Sequence, residues 1–132
     1  MEANKIIQAA REYIGTPFHH QGRQKGRGID CAGLVECVAR DVGLDVPVYD
    51  GYGREPYKGQ LEAVLAKHLT PGPLIPGCVL LFKFPGAPAM HIGIYTGSTI
   101  IHAWSQPGKC VEHTYDKKWQ QRTVRAYQWP IQ

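Results

Sequence analysis

Residues 28–42 read G-I-D-C-A-G-L-V-E-C-V-A-R-D-V, and the rest of the chain is best understood as built around this stretch. Asp30 is a good helix N-cap, because its side-chain oxygen can accept from the unpaired N–H groups of a first turn. Cys31 then opens a helix, and Leu34, Val35, Val38 and Val42 continue on its face at helical spacing. The thiol thus points toward whatever the helix packs against and sits at the positive end of the helix dipole. That position favours the thiolate, the nucleophilic form, so a lowered thiol pKa is expected. The blander alternative is a small apolar Cys in a packed core. Glycines at 26, 28 and 33 tilt the balance, since they let a backbone or ligand approach the helix start closely.

Working outward, 132 residues suffice for one domain with a real core and not for two, so residues 1–132 are read as a single domain. An apolar share of 43% with 20% charged residues is ordinary for a globular protein. No apolar run approaches the ~20 residues that span a bilayer, and no membrane partner is expected. The N-terminus, M-E-A-N-K-I-I-Q-A-A-R-E-Y-I, is an amphipathic helix pattern without the continuous apolar core of a signal peptide. The expectation is a protein made in the cytoplasm and not exported by the general secretory route. A net charge of +4 is modest and fits a solvated basic surface, with no nucleic acid implied. The cysteines at 31, 37, 78 and 110 are expected to be reduced, and no pair has the spacing of a structural zinc site. Neither a metal nor a cofactor is called for.

Residues 4–14 predict a first helix, with Ile6, Ile7, Ala10, Tyr13 and Ile14 on one stripe. Phe18 to Gly28 is a polar, glycine-punctuated loop whose Arg23, Lys25 and Arg27 suit either an anionic ligand or plain solvation. Adjacent His19 and His20 on this loop give no metal pattern. Gly43 to Pro56 is turn-rich, and Tyr49, Tyr52 and Tyr57 on it either line a substrate groove or pack the loop down. A helix over Gln60–Leu69 is followed by Pro71, Pro73 and Pro76, which mark a change of architecture. From Cys78 the period becomes two, and 78–84, 90–95, 99–104, 109–115 and 123–129 read as five strands. Helices first and an antiparallel meander after give an α+β fold, with the helices on one face of the sheet.

Strands 90–95 and 99–104 flank Gly97-Ser98, an acceptable two-residue hairpin turn. With that turn, Gly93 faces His102 and His91 faces Trp104, which places His91 and His102 on one face as diagonal neighbours. Gly93 leaves a gap in the side-chain layer above His102. A three-residue loop would reverse the parity and separate the rings. The Cys31 helix has the sheet as its one large packing surface, so a thiol, a base (His91) and an orienting group (His102) can assemble there as a cysteine-nucleophile triad. Two satisfied strand histidines are the alternative.

G-T-P-F (15–18), G-I-D-C-A-G-L-V (28–35), P-G-C-V-L-L-F (76–82), H-I-G-I-Y (91–95) and I-H-A (101–103) together resemble the NlpC/P60 family of papain-like cysteine peptidases. The T-P-F-H-H-Q beginning and the late V-E-H…W…R…A-Y pattern are most similar to small NlpC/P60 proteins of phage tails and gene-transfer agents. The resemblance implies a papain-like fold of N-terminal helices packed on a roughly five-stranded antiparallel sheet. It also implies hydrolysis of the γ-D-glutamyl–diamino-acid bond in peptidoglycan stem peptides, with Cys31 as nucleophile, His91 as base and His102 as third residue. The substrate would lie along Phe18, Asp30, Ala32, Gly93 and Trp104, and phage tail proteins would be partners. Many members have Tyr where Phe18 stands and Ser where Ala32 stands, which leaves Asp30 as the side chain for gripping a substrate amine. Two further readings share the fold: a tail adaptor with a vestigial triad, and an acyltransferase whose thioester is intercepted by an acceptor other than water.

Overall fold

The change of side-chain period near residue 76 separates helices from sheet in the computed structural model, which describes residues 3–46, 60–85 and 89–130. Tyr49, Tyr52 and Tyr57 lie outside these residues. Helix α1 spans Ala3–Arg11, and the polar loop after it contains a small hairpin of β1 (Arg23–Gln24) and β2 (Gly28–Ile29). Helices α2 (Cys31–Asp41) and α3 (Gln60–His68) follow, then β3 (Thr70–Pro71), β4 (Val79–Lys83), β5 (Ala89–Tyr95), β6 (Thr99–Trp104) and β7 (Lys109–Thr114). A short helix α4 (Lys117–Arg122) leads into β8 (Thr123–Gln128). Among the described residues no helix is long and apolar enough to cross a membrane.

The main sheet has the order β3-β8-β4-β5-β6-β7, with antiparallel pairings throughout. The expected meander holds from β4 to β7. It fails at β8, which returns to lie beside β4 instead of extending past β7. The missing piece in the sequence reading is α4. Its six residues, K-K-W-Q-Q-R, are too short to show a helical period, although Asp116 caps it by accepting from the Trp119 N–H at 3.0 Å. It turns the chain back across the sheet.

Both faces of the sheet are covered. Val79 and Leu81 of β4, with Ile92, Ile94 and Ile101, pack against α1, α2 and α3 through Ile6, Leu34, Val38 and Leu65, joined by Tyr13 of the turn after α1. The alternate residues Leu80 and Phe82, with Cys78 and Ile100, pack on Trp119 of α4, flanked by Phe84, Tyr95 and Trp104. Hence the expectation of helices on one face is corrected: α4 covers the other. Two-sided burial is also why V-L-L-F at 79–82 runs apolar without alternation.

The β1–β2 hairpin lies against the first turn of α2, and Gly33 is where they touch. A Cβ there would fall 2.1 Å from the Gly22 carbonyl oxygen and 2.8 Å from an Arg23 guanidinium nitrogen. No L side chain fits without displacing backbone. Gly33→Ala is therefore expected to destabilise the fold by about 1–3 kcal/mol, the range for forced overpacking. Urea unfolding of the two proteins measures it, and an unchanged midpoint would mean that the hairpin does not rest on the helix.

Candidate active site

Helix α2 begins as its sequence dictates. Asp30 is extended (φ −112°, ψ −175°), and its Oδ1 accepts from the Gly33 N–H at 2.7 Å. The same oxygen takes an Arg23 guanidinium N–H at 3.0 Å, while Oδ2 accepts from the Gln21 N–H at 2.8 Å. Arg23 also reaches Glu36 at 2.6 Å, and Lys25 pairs with Glu12 at 2.8 Å. The basic loop residues thus include two that are engaged within the chain. Asp30 is 4% exposed and binds three donors, so its geometry is that of a cap and clamp, not of an open amine receptor. Ala32, expected beside the substrate, instead buries its methyl in the main core.

The hairpin register is the expected one. Thr96 donates to the Thr99 carbonyl at 3.0 Å, Tyr95 pairs with Ile100 and Ile94 with Ile101, leaving Gly97 (φ +112°) and Ser98 as the turn. Beyond Ile94 the described residues do not continue the ladder toward the start of β5. In an antiparallel strand alternate N–H groups point the same way. Since that of Thr96 faces β6, so does that of Ile92, and with the ladder ended it is directed instead at the Cys31 sulfur. The thiol therefore sits where β5 and β6 part, one residue along the strand from His91.

His91 and His102 do share a face, and their rings meet: Nε2 of His91 lies 2.6 Å from Nδ1 of His102. Their face is not the one packed on α1–α3, where the sequence reading led, but the aromatic one. Phe82 is the β4 partner of His91 and stacks on its ring at 5.9 Å, and Trp104 stacks on His102 at 5.6 Å. Trp119 stands edge-on to His102 at 4.8 Å. At the opening between β5 and β6 the thiol from the helix side meets the Ile92 N–H, one residue along the strand from His91. Gly93 keeps the second histidine in place, since a Cβ there would be 3.1 Å from the His102 Cβ. Phe18 is half-buried, and its N–H donates to the Gly108 carbonyl at 2.8 Å, in the turn that follows Trp104.

The sequence reading gave no role to a third ring. His113 of β7 brings its Nε2 within 2.7 Å of the His102 Nε2, and its Nδ1 lies 3.0 Å from the Thr114 carbonyl. The signal was present in the alternation of K-C-V-E-H-T: His102 opposes Val111, and His113 is the diagonal neighbour on the same face. Arg122 was also missed. Its guanidinium lies over Phe84 at 4.8 Å and Trp119 at 4.6 Å, within the same cluster.

Electrostatics correct the expected low thiol pKa. Burial, reinforced by the Asp30 carboxylate, pushes the Cys31 thiol up to about 12, against the N–H groups of Ile92 and Ala32 and the charge of Arg23. Burial likewise pushes His91 down to about 3, helped by the nearby Arg122 and His113. His102 falls to about 2, chiefly by burial and then through its two histidine neighbours. At neutral pH both the Cys31 thiol and the His91 imidazole therefore rest uncharged.

The sequence profile of the NlpC/P60 family matches residues 15–128. The chain belongs to the NlpC/P60 family. Its fold is the family's α+β, papain-like arrangement. The probable endopeptidase NlpC of Escherichia coli (strain K12) is 30% identical over 121 residues, covering 86% of this chain and 73% of that protein. The γ-DL-glutamyl hydrolase of Bacillus subtilis (strain 168) is 27% identical over 95 residues, 70% of this chain but 21% of that longer protein. Among solved structures, the NlpC/P60 domain of the peptidoglycan hydrolase SagA is alike with a TM-score of 0.67 at 23% identity, over 97% of this chain and 99% of that one.

For this NlpC/P60 chain, a neutral resting pair has two measurable consequences. Alkylation of Cys31 by iodoacetamide is expected to be slower than that of a free thiol at pH 7. It should rise about tenfold per pH unit as thiolate forms, and a rate that is flat below pH 7 would reveal a preformed ion pair instead. The buried imidazoles act on stability. Below pH 6.5 the unfolded chain binds protons that folded His91 refuses until about pH 3. Stability must therefore fall as the pH drops through that window, by up to about 1.4 kcal/mol per pH unit for each ring. Urea midpoints measured from pH 7 to 4 test this, and a flat series would place the rings in solvent.

Proposed function

We propose that this chain is a cysteine peptidase of peptidoglycan stem peptides, with Cys31 as nucleophile, His91 as base and His102 as the residue that orients the base. The enzyme class, a hydrolase of the NlpC/P60 kind, follows from family membership. The single observation that carries the residue roles is that the thiol meets the Ile92 N–H at the parting of β5 and β6, on the strand residue next to His91, whose Nε2 is engaged by a second histidine. The γ-D-glutamyl–diamino-acid bond is the favoured target, supported by the likeness to a γ-DL-glutamyl hydrolase and to an endopeptidase.

In this reading the thiol proton moves to Nδ1 of His91 as the sulfur attacks the carbonyl carbon of the scissile amide. The negative charge gathers on the carbonyl oxygen at the positive end of α2. Collapse expels the amine, which takes the proton back from His91 and leaves a thioester on Cys31. Water, deprotonated by the same nitrogen, then releases the acid and restores the thiol. Burial raises the energy of both ions of a resting pair, so proton transfer coupled to attack is favoured over a standing thiolate.

The setting we favour is a phage tail or tail-like particle meeting intact wall, on the sequence patterns at 16–21 and 111–127. The state of Asp30 supports it. A carboxylate already clamped by Arg23 and two backbone N–H groups grips a free substrate amine weakly. A charged hydrogen bond is typically worth about 1.5–3 kcal/mol, so roughly ten- to a hundredfold of preference for free stem peptides is forgone. Isolated tri- and tetrapeptides and intact sacculi are therefore expected to be cut at similar rates, with Cys31→Ala as the blank. A strong preference for free peptides would overturn the wall-penetrating reading, and no cleavage of either by the folded protein would favour the adaptor. Adding an acceptor amine separates out an acyltransferase by its new amide product.

A further inference from the structure

We infer that His113 is a positioning residue that sets which nitrogen of His91 is free to take the thiol proton. The inference rests on the proposed roles of Cys31 and His91 but follows from three distances. The chain of contacts runs from His91 Nε2 to His102 Nδ1 at 2.6 Å, from His102 Nε2 to His113 Nε2 at 2.7 Å, and from His113 Nδ1 to the Thr114 carbonyl at 3.0 Å. A carbonyl oxygen has no proton to give, so it anchors the direction of every link.

At the outer end, His113 must carry its proton on Nδ1 to donate to Thr114. In the neutral ring its Nε2 then holds a lone pair and accepts the N–H of His102 Nε2. With that nitrogen protonated, neutral His102 presents a lone pair at Nδ1, which accepts the N–H of His91 Nε2. The tautomer of His91 is thereby settled: proton on Nε2, lone pair on Nδ1, the base position needed toward Cys31. Reversing one link reverses all of them. His102 is fully buried and His91 nearly so, so neither has solvent in which to make up a lost partner. His113 is half-buried at the cluster's edge, where the chain of rings ends on backbone.

Replacing His113 by Phe keeps the ring shape but removes the acceptor. The Nε2 proton of His102 is then orphaned, its other tautomer becomes competitive, and His91 is driven to carry its proton on Nδ1, where it cannot act as base. His113→Gln places an amide oxygen where Nε2 was and retains the acceptor. The experiment is nitrogen-15 NMR of the imidazoles in the wild type and both variants, with kcat and KM on stem peptides alongside. The wild type is expected to show Nε2–H on His91, Nε2–H on His102 and Nδ1–H on His113. In His113→Phe the His91 proton should shift to Nδ1, with kcat lowered by up to roughly 10⁴-fold, the scale for an active-site histidine base held in the wrong tautomer. KM should stay unchanged, and Gln should restore both tautomer and kcat.

A wild-type His91 bearing its proton on Nδ1 overturns the inference, even if neither variant folds. Unchanged tautomers and kcat in His113→Phe, or failure of Gln to rescue a folded protein, overturn it as well. Because the spectra need no substrate, expected tautomers in a protein that cuts no stem peptide would refute the proposed function and leave this role of His113 standing.

Discussion

Everything at the site depends on one interrupted ladder. Had β5 and β6 stayed paired past Ile94, the Ile92 N–H would be taken by a β6 carbonyl and the sheet would be a closed wall between helix and histidines. The ladder stops, and the freed donor turns to the Cys31 sulfur. A helix on one side of the sheet can thereby present its first residue to a ring on the other. The hairpin clamp on α2 serves the same end. Arg23, Asp30 and Gly33 lock the first turn against β1 and β2, so the sulfur has little freedom to retreat from the gap.

The second constraint is dryness. Phe82, Trp104 and Trp119 pack around His91 and His102, so both rings are held uncharged and in fixed orientations. In water a thiol and an imidazole would exchange partners freely. Here each nitrogen of His102 faces one histidine nitrogen, which makes the direction of each hydrogen bond a structural property. The same dryness raises the energy of charge, so nucleophile strength comes from transfer at the moment of attack and not from a stored ion pair.

Much of this was legible in the sequence, for definite reasons. Asp30 before Cys31, the glycines around them and the two-residue turn at Gly97-Ser98 are local signals, and each acts within a few residues of itself. The register of His91 against His102 follows from that turn alone. What was not legible is non-local. The return of β8 to β4 depends on a six-residue helix whose period cannot show. The face on which the rings lie depends on α4 covering the side of the sheet that the sequence reading left bare. The high thiol pKa depends on burial, which no spacing reports, and it outweighs the helix dipole that the spacing does report. His113 was in view as a strand residue, but its role appears when a backbone carbonyl is seen to sit at the end of the ring chain.

The sheet order carries a consequence for how the molecule comes into being. β8 is the last described strand to leave the ribosome, yet it lies inside the sheet, between β3 and β4. Until residues 117–128 emerge, β4 has one open edge, and Leu80 and Phe82 lack the Trp119 that covers them. Such an intermediate exposes apolar surface and an unpaired strand. The pocket that keeps His91 and His102 dry is missing its floor at that stage. A nascent chain thus holds the nucleophile early and the environment that makes it useful late, so the capacity for catalysis arrives together with completion of the fold.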